Sequence, residues 1–138
     1  MTDLNSFIEA YKDAVFQKNL DAFASIFDEQ VRVFDMWEQW TYEGLNAWLE
    51  KAKSWFATLG TDRDEISFYN IQIQEAGEMA FVSAILRFTA VSENGEAHRY
   101  LENRHTWVAR KKEHSWKIVH QHSSGPVDSK TMRVILKR

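Results

Sequence analysis

His105, His120 and His122 fall on two apolar segments, 97–111 and 116–124, that also carry Trp107 and Trp116. Both segments read as strands, joined by a turn near Glu113-His114. Side chains alternate between the faces of a strand. A turn centred on Glu113-His114 therefore sets Trp107 opposite His120 and His105 opposite His122, on one face with Trp116 and Ile118. Arg104, Thr106, Val108, Val119, Gln121 and Ser123 take the other face. A face with three imidazoles and two indoles can act as a patch of mutually hydrogen-bonded side chains or as a wall against a ligand. His105, His120 and His122 also have a spacing that can hold zinc, His-x-His plus a cross-strand His. No carboxylate is placed to orient those imidazoles, so the expectation is ligand contact, with no metal and no cofactor.

Arg87 interrupts the apolar run Ala84-Ile85-Leu86 and Phe88. A guanidinium withdrawn from water needs a carboxylate or an anionic ligand. Asp35, Glu38 and Glu102 are the internal candidates, and the expectation is that Arg87 points inward. Trp37, Trp40 and Trp48 cluster further upstream. Trp48 lies on the apolar stripe of a helix, whereas Trp37 and Trp40 are free to cap a flat ligand or to enter a dimer interface.

The elements that must position these residues follow from periodicity. Leu4, Phe7, Ile8, Tyr11 and Val15 recur at helical spacing over residues 3–18, with Thr2 or Asp3 as cap. A short second helix carries Leu20, Phe23, Ile26 and Phe27, and residues 31–35 alternate as a short strand. Residues 44–59 form the clearest helix, with Gly60 placed to end it. Strand-like segments follow at 65–75, 79–92, 97–111 and 116–124, separated by turn residues, which predicts an antiparallel meander. Helices first and strands afterwards is an α+β pattern. Residues 1–126 read as one domain and 127–138 as a C-terminal tail whose segment 132–136 is able to add an edge strand or dock on a partner.

Composition narrows the function classes. The chain has 138 residues, enough for one real core. Net charge is −3 with both signs interspersed, so no basic stripe is available for a nucleic-acid backbone. There is no Cys, which removes disulfide and thiolate chemistry. No apolar run has the length of a membrane span, and Met1-Thr2-Asp3 lacks a signal-peptide pattern, so a cytoplasmic location is expected. Six Trp and nine Phe exceed what a small core needs and point to a pocket or an interface.

Residues 76–125 resemble the association domain of calcium/calmodulin-dependent protein kinase II and related SnoaL-like domains. The likeness is carried by Gly77-Glu78, Ala80, Ala84, Arg87, Thr89, Thr106, Val108 and the ending Trp116-Lys117-Ile118-Val119-His120-Gln121-His122-Ser123-Ser124-Gly125. In the kinase family two pocket arginines bind small carboxylates. Arg87 matches the first, the second falls on Trp107, and the pocket histidine falls on Trp48. Residues 10–44 resemble ketosteroid isomerase through Tyr11, Leu20-Asp21, Phe27, Val33, Asp35 and Gly44. That resemblance implies Asp35 as general base and Tyr11 as oxyanion donor, while the protonated Asp of that enzyme falls near Asn103-Arg104-His105.

Both resemblances belong to the nuclear transport factor 2-like superfamily. They imply a cone of three N-terminal helices packed on a strongly bent antiparallel sheet. The expected function is binding of a small anionic or aromatic ligand by Arg87, Trp107, His105, His120, His122, Trp48 and Trp37. The rivals are an isomerase, cyclase or dehydratase using Asp35 and Tyr11, and a non-catalytic assembly module. A homodimer is expected through the sheet face bearing Thr106, Val108 and Val119.

Overall fold

A computed structural model describes residues 3–138. Helix α1 spans Leu4–Gln17 and is capped by Asp3, whose carboxylate accepts from the Ser6 backbone N–H at 2.8 Å. Thr2, the other candidate cap, lies outside the described residues. Lys18 closes the helix in the left-handed region at φ 53°. Helix α2 (Leu20–Ala24) starts at Asn19, whose side chain accepts from Ala22 N–H. Helix α3 (Leu45–Thr58) ends at Leu59, so Gly60, at φ 60°, occupies the expected position just past the end.

The strands are β1 (Phe27–Phe34), β2 (Tyr42–Glu43), β3 (Arg63–Ala76), β4 (Met79–Val91), β5 (Ala97–Lys112) and β6 (Ser115–Ser124). They form one sheet in the order β2-β1-β6-β5-β4-β3. From β3 to β6 the connections are antiparallel hairpins, as the turn spacing predicts. The cone with a strongly bent antiparallel sheet is not what forms. The sheet is open, with β2 and β3 at its edges, is not strongly curled, and is mixed because β1 runs parallel to β6. Local alternation reports which side a residue faces and is silent on strand direction, so the parallel pairing was not legible.

One face of the sheet packs on the helices. Ala80, Val82, Ala84 and Leu86 of β4 alternate onto it, together with Ile66, Trp107, Ala109, Trp116 and Ile118. Helix α1 lies on β3 and α3 on β1. Phe23, fully buried, joins the helical layer by edge or tilted contacts to Tyr11, Phe27, Trp48, Trp55 and Phe56. Burying one such ring contributes about 2–3 kcal/mol.

The β5–β6 hairpin turns at Glu113-His114, both at positive φ, as a tight two-residue turn requires. Pairing runs in the expected register to Ala109↔Ile118 and then slips, with Val108 opposite His120 and Val119 without a partner. This bulge exchanges the faces beyond it. Trp107 pairs with Gln121 and His105 with Ser123 on the helix side, whereas His120 and His122 face away with Thr106 and Val108. The expected single wall of His105, Trp107, His120 and His122 is therefore split between the two faces.

The tail folds back as a hairpin of β7 (Val127–Asp128) and β8 (Arg133–Val134). It reaches β5, where Glu102 N–H donates to Leu136 O at 2.6 Å.

Candidate functional site

Between α1, α3 and the helix-facing side of the sheet lies a cavity of about 610 Å³. Its floor is Tyr11, Trp48, Asn103, His105 and Gln121, all buried. Trp37, Glu38, Ser54 and Thr58 form an exposed rim, and Lys51, Trp55, Asp64, Phe88 and Leu101 complete the walls. Alternation explains the set. Asp64 shares a face with Ile66 on β3, Asn103 and His105 with Trp107 on β5, and Gln121 with Ser123 on β6.

Tyr11 is 1% exposed, brought there by the apolar stripe of α1. Its ring meets Trp107 edge-on at 5.1 Å and His105 at 6.3 Å. Burial first, then the charges of Asp35 and Asp64, push its hydroxyl far above the ordinary phenol range. Asp35 follows the end of β1. Burial pushes its carboxyl up, against hydrogen bonds from Ser123 Oγ (3.2 Å) and Trp37 N–H (3.3 Å) and the charge of Lys51. Asp64 is raised by burial as well, and Trp55 Nε1–H donates to it at 2.9 Å.

His105 Nδ1 lies 3.1 Å from Asn103 Oδ1, and Asn103 Nδ2 donates to Met36 Sδ at 3.4 Å. An amide oxygen only accepts, so Nδ1 carries the proton and Nε2 presents its lone pair. No partner reaches Nε2 among the described residues. Gln121 Oε1, close by, accepts from Trp107 Nε1–H at 2.8 Å. Burial drives the imidazole down to about 3, against a smaller upward effect of Gln121, so it stays neutral. Trp48 Nε1 is likewise buried without a partner.

Of the residues expected at a site, Asp35, Tyr11, Trp48, Trp37 and His105 line this one cavity. Trp107 is buried beneath Tyr11 and outside the lining. His120 and His122 meet Phe34 edge-on on the opposite face of the sheet, and His120 Nδ1 is bound to Arg32 O at 2.7 Å. They cannot join His105 on a metal, and no group of three His, Cys, Asp or Glu suited to a metal occurs among the described residues.

Arg87 does not point inward. It shares a face with Ile85 and Thr89 as expected, but that face is turned away from the helices. There its Nε meets Glu102 at 3.1 Å, and its guanidinium lies over Tyr69 and Tyr100. The run around Arg87 is apolar on both sides of the strand, so its sequence does not say which face is covered by helices. Asp64, Lys51, Trp55, Asn103 and Gln121 were missed. The signal for Asp64 was an acid in phase with Ile66 and Phe68.

A family model described as a SnoaL-like domain matches residues 4–128. The chain belongs to the SnoaL-like domain family. No curated protein matches its sequence. Among solved structures this SnoaL-like domain is similar to a nuclear transport factor 2-like protein of unknown function from Pseudomonas putida. That pair has 18% identity and a TM-score of 0.86, with 98% of this chain and 92% of the other covered. A structure from Xanthomonas campestris named for the calcium/calmodulin-dependent protein kinase II association domain has 14% identity and a TM-score of 0.74, with 88% and 84% covered. Aln2 from a Streptomyces species has 11% identity and a TM-score of 0.78, with 88% and 86% covered. At these identities the likeness is one of fold. Among the described residues no helix is long and apolar enough to cross a membrane.

Proposed function

We propose that this SnoaL-like domain binds a small molecule with a flat, largely apolar body in the cavity above Tyr11 and His105. The observation that carries the reading is a cavity of about 610 Å³ walled by indole and phenyl rings, with buried polar side chains at its floor. Apolar walls with a few placed polar groups are the chemistry of ligand sites. A guanidinium-bound anion loses its support, because Arg87 is across the sheet and engaged with Glu102. The test is Trp fluorescence and thermal stabilisation of the full chain against two-ring aromatics, with Thr58→Trp introduced to block the rim. Saturable binding that T58W abolishes is expected. Absence of binding to every probe, or binding unaffected by T58W, overturns the reading.

A second reading, proton abstraction beside a carbonyl, is favoured by one arrangement: Asp35 and Tyr11 line one cavity, and Asp35 has no Arg partner. A carboxylate raised by burial is a stronger base, and the Tyr11 hydroxyl is the donor for a developing enolate. One N–H of the Asn103 amide is given to Met36 Sδ, so at most its other N–H is left to act as a second donor.

A further inference from the structure

The proposed ligand site has an uneven chemistry. Among the described residues three carboxylates line the cavity, Asp35, Glu38 and Asp64, against one ammonium, Lys51, with Arg99 and Lys18 acting on Asp64 from outside the lining. Asp35 and Asp64 are each held by neutral donors: Ser123 Oγ and Trp37 N–H for the first, Trp55 Nε1–H for the second. Those bonds fill only part of what two carboxylates accept, since each has about four lone-pair directions. Independently of the acids, the floor presents a buried acceptor, His105 Nε2, that makes no direct hydrogen bond among the described residues and stands beside the Gln121 side chain. The walls also carry the rings of Trp37, Trp48, Trp55 and Phe88, and aromatic rings attract cations.

From this excess of acceptors and aromatic walls we infer that the ligand is an organic cation, an arylalkyl or alicyclic amine bound in its ammonium form. The inference rests on the reading of the cavity as a ligand site and adds the charge of the occupant. Its N–H groups donate to the Asp35 and Asp64 carboxylates and to His105 Nε2, and its ring body lies against the indoles. An anion of the same shape meets three carboxylates and is excluded. A neutral isostere gains the ring contacts and leaves the carboxylates uncompensated.

Titration calorimetry of the full chain with naphthylethylamine, naphthylethanol and naphthylacetate tests this. The amine is expected to bind about tenfold tighter than the alcohol, and the acetate least. Asp64→Asn, close in shape to the native side chain, is expected to cut amine affinity and leave alcohol affinity near its starting value. Lys51→Met, which removes the cation of the described lining, is expected to raise amine affinity. If the alcohol or the acetate binds as tightly as the amine, the cation inference falls while the ligand site stands. If none of the three binds, both fall. Circular dichroism of each variant separates lost binding from lost folding.

Discussion

Arg87 Nε sits 3.1 Å from Glu102 Oε2 on the face of the sheet turned away from the cavity, and Arg138 Nη2 reaches the same oxygen at 3.0 Å. Bonds from Arg138, then from Arg87, hold the Glu102 carboxyl down to about 2, from an ordinary value of 4.5. A carboxyl depressed in the folded state stabilises above its unfolded pKa, and the contribution is lost as pH falls from 4.5 through about 2. Glu102→Gln is expected to cost about 1–2 kcal/mol at pH 7, both arginines being partly in solvent. Urea titrations of wild type and E102Q should converge toward pH 2; a gap that persists there counts against the ion-pair origin.

His105 is shifted in the same direction, but by burial rather than by ion pairing. Its imidazole is held near 3 in the folded protein against an ordinary 6.5, so the unfolded chain takes up a proton first. The stability tied to neutral His105 is whole above 6.5 and declines as pH falls toward 3. His105→Gln should flatten stability against pH in that window. In nuclear magnetic resonance spectra the His105 ring should stay neutral, with the proton on Nδ1, from pH 8 to 5. A titration inside that range would be incompatible with the buried geometry.

Asp35 costs stability where it stands, because burial raises its carboxyl. A group raised in this way is destabilising when ionised, and the cost fades as pH falls through its folded pKa. Asp35→Asn is therefore expected to stabilise the fold at pH 7 by about 0.5–2 kcal/mol. In any proton-transfer reaction of the site, turnover should fall far more than binding. Thermal melts and single-turnover rates together check this; a D35N variant that melts lower and turns over normally would remove Asp35 from the site chemistry.

Gly125 is where the tail meets the cavity's rim segment. A Cβ added there would lie 2.6 Å from Val134 Cγ2, 3.2 Å from Ile135 O and 3.6 Å from the Met36 terminal methyl. Gly125→Ala should loosen the β7–β8 hairpin at a cost of about 1–3 kcal/mol. Hydrogen exchange should show it first at the amide of Ile135, which donates to Pro126 O at 2.7 Å, and at Glu102 N–H. Unchanged protection at both positions would mean that the hairpin accommodates the methyl.

Thr106 and Val108 stand half-buried on the sheet face opposite the helices. We propose that this face pairs with a second copy. Sedimentation at micromolar concentration is expected to give a dimer, and Val108→Lys a monomer with an intact cavity. A monomeric wild type at that concentration would exclude the pairing.

The sequence alone determined what depends on neighbours in the chain. Leu4, Phe7, Ile8, Tyr11 and Val15 specify α1, Asp3 caps it, and Gly60 ends α3, because helix periodicity and capping are set within one or two turns. The turn at Glu113-His114 and the meander of long strands were legible for the same reason. The family motifs also placed Tyr11 and Asp35 as candidates, and both line the cavity. Long-range packing set which side each strand shows to the helices and which strands meet. One unpaired residue, Val119, turned His120 and His122 away from His105, because a strand's period of two converts a one-residue slip into a change of face. Arg87 went to Glu102 rather than to the cavity, and β1 joined β6 in parallel. Both are settled by long-range packing, where a guanidinium donates to whichever carboxylate shares its face and a strand pairs with whichever edge the helices leave open.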